Sequence, residues 1–493
     1  MLTLRTPARL VTAAALTLAA IGGGVASTAG AAAPAGPAAT PGIACDKGSL
    51  PEKTQGRAPY TDVASGRYAR GYRCNAIQIS HYGQTGGYRV ERYVDKAGHE
   101  CAYYDTTLLH PVFLGQQLTG EAPNSASGPG TWVMDMHDPA HPVHTDTLRT
   151  LAFQTPHESV RVNQKRGLIV ADMGNPEAHP GLVDVFDISK DCLHPSLLAS
   201  SPLGVLGHEG GFSPDGNTYY VASLYGHTIA AIDLSNPLAP TLLWLSFAYQ
   251  PHGVSLSDDG NTLYMAESVN SGTTGYRGLT ILDVSQVQKR VLNPTVPLIK
   301  RLTWPNVGTP QNATPFTEHG HKYLLEIDEF GSGEHIGAGR IIDIQKPSNP
   351  FVVSNLRLAV NQPKLQGGEI EKDPGNTLPE QTFQGYEGHY CSLPSRVDPQ
   401  IIACAFIMSG LRVFDISSIT KPKEIAYFNK PTVPASDPLQ PRKSGAFAMS
   451  APAYDEASGD IWYSDGNSGF YVVRLTGAAK RTHFAKRIYL PGN

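Results

Sequence analysis

Four histidines stand at matching positions in four stretches of the chain: His157 in HESVRVNQKRGLIVA, His208 in HEGGFSPDGNTYYVA, His252 in HGVSLSDDGNTLYMA and His389 in HYCSLPSRVDPQIIA. Each precedes an alanine by fourteen residues, at Ala171, Ala222, Ala266 and Ala403. Between these fixed points the sequences differ widely, and the residue after each His is Glu, Glu, Gly or Tyr. Neutral imidazole is the commonest protein ligand for a transition metal (Cu, Mn, Zn or Fe), and nearby carboxylates orient it or join it. Asp172, Glu267, Glu329 and Asp465 follow the marker alanine or its equivalent. The chemistry on offer is therefore a metal held by the four histidines, with Asp172, Glu267 or Glu329 as acid or base. Two plainer uses fit the same residues. A His at a strand entrance can cap a loop carbonyl and be copied by duplication, or it can donate into a metal-free ligand pocket.

The histidines need elements to carry them. In QPHGVSLSDDGNTLYMAE, VSLS alternates apolar and polar residues as a half-buried strand does. Asp259-Gly260 is a hairpin turn signal, and TLYMA returns as the second strand. A second segment recurs seven times: TWVMDMHDPAHP from Thr131, GLVDVFDISKDCLHP from Gly181, TIAAIDLSNPLAP from Thr228, GLTILDVSQVQKRVLNP from Gly278, GRIIDIQKPSNP from Gly339, GLRVFDISSITKP from Gly410, and a degenerate GFYVVRLTG from Gly469. Most copies are a short apolar strand, an Asp, and a Pro- or Ser-containing turn.

These segments resemble the LVIVD repeat family of exported, mostly uncharacterised proteins, over roughly Tyr72 to the C-terminus. The resemblance implies an all-β fold, a single seven-bladed β-propeller of four-stranded antiparallel blades. The residues agree: a blade of about fifty residues cannot bury both faces alone, and a closed ring of blades can. CNAIQISHYG (Cys74 to Gly83) can supply the outer strand of the last blade, with AKRIYLPG near the C-terminus as its competitor. In a propeller the first strand of each blade lines the channel, so the four imidazoles should start near one mouth. In the same register blade 1 offers Tyr88, blade 5 Asn312 or Thr314, and blade 7 Ser450. His319 and His321 fall in a hairpin turn on the opposite face. Asn312-Ala313-Thr314 is a glycosylation sequon. The polar insertion from Asn361 to Gln384 is expected to form a lid or wall over the histidine mouth.

Arg5 and Arg9, the apolar run Leu10–Ile21 and Ala29-Gly30-Ala31 read as a signal peptide over residues 1–31. An Ala/Pro-rich linker covers 32–44 and the propeller 45–493. A secreted, extracellular protein is expected, with no membrane span. Setting the signal arginines aside leaves 37 basic and 43 acidic residues, net −6, with no basic run. That argues against nucleic acid as a partner. A small molecule, glycan or peptide at the channel mouth is expected, and a monomer, since a closed ring needs no partner. Six cysteines in an exported chain imply three disulfides. The hairpin centre near Val397-Asp398 sets Cys391 opposite Cys404. Cys101 and Cys192 map to adjacent blades on the face away from the histidines, which leaves Cys45 with Cys74. The function so read is a ligand or substrate site at one mouth of the channel, with a histidine-held metal if it is an enzyme. The alternative is a non-catalytic propeller binding a glycan, peptide or partner protein through its loops. Lyase, oxidoreductase and hydrolase chemistry are not distinguished by these residues.

Overall fold

The computed structural model describes residues 37–106, 130–174, 181–205, 207–268, 275–331, 336–365, 372–373, 385–430 and 445–480. Residues 1–31, the AKRIYLPG segment and most of the 361–384 insertion lie outside them. Seven antiparallel sheets follow one another around a ring, so the chain is a seven-bladed β-propeller. Blade 4 shows the plan: Pro251–Leu256, Thr262–Glu267, Gly278–Asp283 and Leu298–Leu302, each paired with the next. The inner strands of the other blades are Val90–Val94, Arg161–Asn163, Glu209–Phe212, Pro310–Glu318, Gly388–Ser392 and Ala453–Tyr454.

Burial follows position in the blade. In blade 3 the second strand, TYYVAS, is buried throughout, whereas the outer strand, TLLWLS, is exposed or half-buried. The apolar residues collect between blades. One cluster joins Tyr220 and Ile229 of blade 3 to Val254 and Met265 of blade 4. Another joins Trp462 and Phe470 of blade 7 to Tyr104 and Trp132 of blade 1, so the packing runs across the closure. Each blade thus buries its two faces against its neighbours.

The recurring Asp has a local cause. The carboxylate ending the third strand accepts the N–H two residues on at Asp135, Asp187, Asp233, Asp283, Asp343 and Asp415, at 2.8–2.9 Å. This side chain–backbone turn leads the chain into the outer strand. The first hairpin of blade 4 turns at Gly260, whose φ of +72° a side chain would resist.

Ala76–Tyr82 pairs with Gly469–Leu475 and forms the outer strand of blade 7. The segment does more than expected, because Tyr72–Cys74 also adds a fifth strand to blade 6. Asn75, at φ +51°, turns the chain between the two sheets. The described part of the linker runs along blade 6, with Gly42 bridging Glu424. Lys372–Asp373, the described middle of the insertion, is held at the N-terminal arm: Asp373 meets the Arg57 guanidinium at 2.6 Å. The disulfides are Cys45–Cys74, Cys101–Cys192 and Cys391–Cys404, the pairs given by the blade register. No described helix is long and apolar enough to cross a membrane.

Candidate functional site

The four histidines meet. Their aromatic rings and the neighbouring groups close a circle around the channel axis. Tyr88 lies 4.3 Å from His157 between ring centroids, His157 4.4 Å from His208, and His208 4.8 Å from His252. Glu329 spans the gap left by blade 5, with its carboxylate 3.7 Å from His252 Nε2 and 3.4 Å from His389 Nε2. Tyr88 and His389, 5.4 Å apart, complete the circle. All six side chains are buried, His157 being the most open at 7% exposure.

Inside the circle sits the Glu158 carboxylate. It approaches His389 Nε2 at 3.1 Å, His208 Nε2 at 3.3 Å, His252 Nε2 at 3.7 Å and His157 Nε2 at 3.8 Å. Ligand atoms of His157, Glu158 and His208 all lie within 4.8 Å of one another. Two imidazoles are fixed from behind: Nδ1 of His252 faces the Pro310 carbonyl at 2.8 Å, and Nδ1 of His389 faces the Met449 carbonyl at 2.5 Å. Nδ1–H must therefore be the donor, which turns each Nε2 toward the centre. His208 Nε2, His389 Nε2 and Glu158 Oε2 make no aligned hydrogen bond there.

Backbone irregularities aim these groups. His252 and His389 each occupy a β-bulge, between Pro251 and Gly253 and between Gly388 and Tyr390. A bulge re-aims a side chain that regular pleating would send elsewhere. His157 stands at φ +49°, an uncommon conformation for a non-glycine residue. Burial sets the protonation. It pushes His157 well below its usual range, helped by the neighbouring His208. It takes His252 down to about 4. Burial works the same way on His389, but Glu158 and Glu329 outweigh it and raise that group. Burial opposes ionisation of Glu158, yet His208 and His389 hold it well below the usual carboxylate range.

Other positions differ from the sequence reading. Blade 5 places Gln311, not Asn312 or Thr314, at the histidine bulge. Asn312 instead donates to Glu209 at 2.7 Å and is buried, so the sequon is not presented to solvent. In blade 6 the alanine opposite the residue after His389 is Ala405, while Ala403 faces Ser392. That hairpin is two residues longer, and the fourteen-residue spacing there is fortuitous. Glu329 joins the circle because it lies one residue beyond the true equivalent of Glu267, which is Asp328. Glu267 turns away and pairs with Arg301 at 2.9 Å. Asp172 is buried against the Tyr219 hydroxyl at 3.3 Å, and Asp465 accepts the Phe447 and Asn467 N–H groups. Ser450 binds the Ser464 carbonyl at 3.1 Å. His319 stands in the far-face turn, and His321 meets Asp343 at 2.7 Å.

Glu158 escaped the sequence reading. Strand alternation sends the residue after an inward His to the opposite face, and the turn at His157 breaks that rule. The repeated His-Glu of blades 2 and 3 was the available signal. Glu209, its twin, does obey the rule: it lies below the circle and takes Arg89 at 2.7 Å.

No family model matches the chain, and no curated protein matches it. Solved structures resemble it at the level of the propeller. The hydrazine synthase of Kuenenia stuttgartiensis has 11% identity and a TM-score of 0.47, over 81% of this chain and 98% of that one. A protein from Lactobacillus plantarum has 12% identity and a TM-score of 0.47, over 78% and 98%. The periplasmic gluconolactonase of Pseudomonas aeruginosa has 11% identity and a TM-score of 0.44, over 73% and 95%. At these values the likeness concerns architecture only.

Proposed function

We propose that this is an exported metal-dependent enzyme of the LVIVD-repeat kind, acting on a small molecule at the histidine mouth of the channel. The observation that carries the reading is the approach of four imidazole Nε2 atoms, at 3.1–3.8 Å, to the one buried carboxylate of Glu158, with two of the imidazoles backed by carbonyls. His252, kept neutral by burial and with its proton on Nδ1, points the Nε2 lone pair at oxygens of Glu158 and Glu329, a repulsion that a cation between them would relieve. A divalent transition metal (Cu, Mn, Zn or Fe) answers that arrangement, held by His157, His208, His252 and His389. Such an ion would polarise a bound oxygen or acidify a water. Glu158 and Glu329 would balance its charge. Tyr88 closes the circle against water, and Tyr225, 46% exposed and 5.7 Å from the His208 ring, flanks the approach. The three disulfides suit an oxidising, extracellular setting.

Elemental analysis of protein purified without an affinity tag tests this. One metal ion per chain is expected, and its loss in a folded His208→Ala/His252→Ala double variant. A metal-free protein whose melting temperature ignores every added ion would sink the reading. It would favour a non-catalytic propeller that binds its partner through loops.

A further inference from the structure

The channel has a second end. Below the histidine circle, Glu209 Oε1 accepts from Arg89 Nη2, Arg161 Nη2 and Asn312 Nδ2. Two guanidiniums therefore share one carboxylate. Both arginines are buried, at 5% and 1% exposure. Arg89 spends Nε on the Glu158 carbonyl and Arg161 spends Nε on the Gly210 carbonyl. Neither Nη1 makes a hydrogen bond among the described residues. The nearest further acid, Glu91, stands 3.9 Å from Arg161 Nη1, an ion-pair distance without a hydrogen bond.

Both arginines line a cavity of about 110 Å³ that reaches toward the far-face hairpins at Gln164 and Glu456. Its walls are apolar at Val90, Val162, Leu393 and Ala453. Arg92, at its rim, is already committed to Glu100 and Glu456. Burial pushes Glu91 up to about 8 against the pull of Arg89, so this carboxyl neutralises little of the arginine charge at pH 7.

We infer that this far-mouth cavity is a second binding site, for a small organic carboxylate. Two buried guanidiniums with unused N–H groups, set in apolar walls, suit a planar anion with a short apolar tail. The volume limits the ligand to a few heavy atoms, since a cavity of about 150 Å³ takes benzene. The site shares no side chain with the histidine circle. Glu209 lies between them.

Titration calorimetry of the full chain with acetate, propionate and inorganic phosphate at pH 7 tests the assignment. One carboxylate should bind per chain, propionate better than acetate, with phosphate weaker than both. Ser392→Phe narrows the cavity from its half-buried wall and should weaken binding about tenfold or more. Glu91→Gln should leave binding at pH 7 within about twofold, because burial already keeps most of that carboxyl uncharged there. The His208→Ala/His252→Ala variant should bind the carboxylate as the parent does, whatever its metal content. Absence of saturable binding, equal affinity for phosphate, indifference to Ser392→Phe, or markedly weaker binding in Glu91→Gln would each overturn the inference.

Discussion

Glu158 is held by charge, since its approaches to the imidazoles are close but not aligned with His208 or His389. Glu158→Gln keeps the shape and removes the charge. Metal affinity should fall about 10- to 100-fold, as it does when a carboxylate partner of a metal site is lost. Competition against a chelator of known affinity measures it. The same change at Glu267 should leave metal affinity alone. It should cost less than about 1 kcal/mol of stability, because Arg301 is partly solvated. A different carboxylate contributes to the response to pH. Asp95 accepts N–H groups from Ala97, His99 and Cys192 and meets the His99 ring at 2.8 Å. Burial works against it, but these donors hold Asp95 below the usual carboxylate range, and the contact with Asp95 raises His99. The depressed Asp95 stabilises the fold above its unfolded value, about pH 4, and loses that contribution as pH falls through the folded value. The raised His99 contributes fully below its unfolded value of about 6.5 and loses it as pH rises through the folded one. The stability gap between the protein and Asp95→Asn should therefore be widest between about pH 4 and 6.5. Urea unfolding across pH 3–9 reads it, and a gap that grows steadily with acidity would refute the assignment.

At the scale of strands and turns, regular features were legible and irregular ones were not. The alternation in VSLS, the Asp-Gly turn and the Asp ending the third strand of six blades all state a local backbone preference, so their consequences could be read directly. The histidine register was legible where the hairpins align, in blades 3 and 4. Gln311, Ala405 and Glu158 were hidden by bulges, a longer hairpin and one left-handed residue, which shift the count without leaving a composition signal. One glycine follows from the same irregularity. Gly253 succeeds the His252 bulge, and a Cβ there would come within 1.9 Å of Glu209 Oε2 and 2.3 Å of the Gln311 carbonyl. Glu209 cannot retreat, because its other oxygen is tied to two arginines and Asn312. Gly253→Ala should destabilise by about 3 kcal/mol, the upper range for overpacking. A midpoint in chemical denaturation within error of the parent would show that the channel centre is softer than its packing suggests.

For the whole molecule, the ring is shut by both ends of the chain: Ala76 pairs with Leu475 across blade 7. Cys45–Cys74 secures the N-terminal side of that join, the half-cystines standing 29 positions apart in sequence. Replacing both by serine should cost about 3–4 kcal/mol in the chain-entropy picture, read by unfolding without reductant. A loss below about 1 kcal/mol would mean that the arm is held by its strand pairings alone. The join also bears on time. The whole stretch from Gly83 to Ser468 must be synthesised before Ala76–Tyr82 finds its neighbour, and until then that strand is an open edge prone to wrong pairings. Assembly is therefore slow and vulnerable, the common fate of folds dominated by distant contacts. Opening is obstructed by the same geometry, because no blade can peel away without breaking the circle. The working lifetime of this protein should accordingly be set by how fast the ring springs open, rather than by its equilibrium stability.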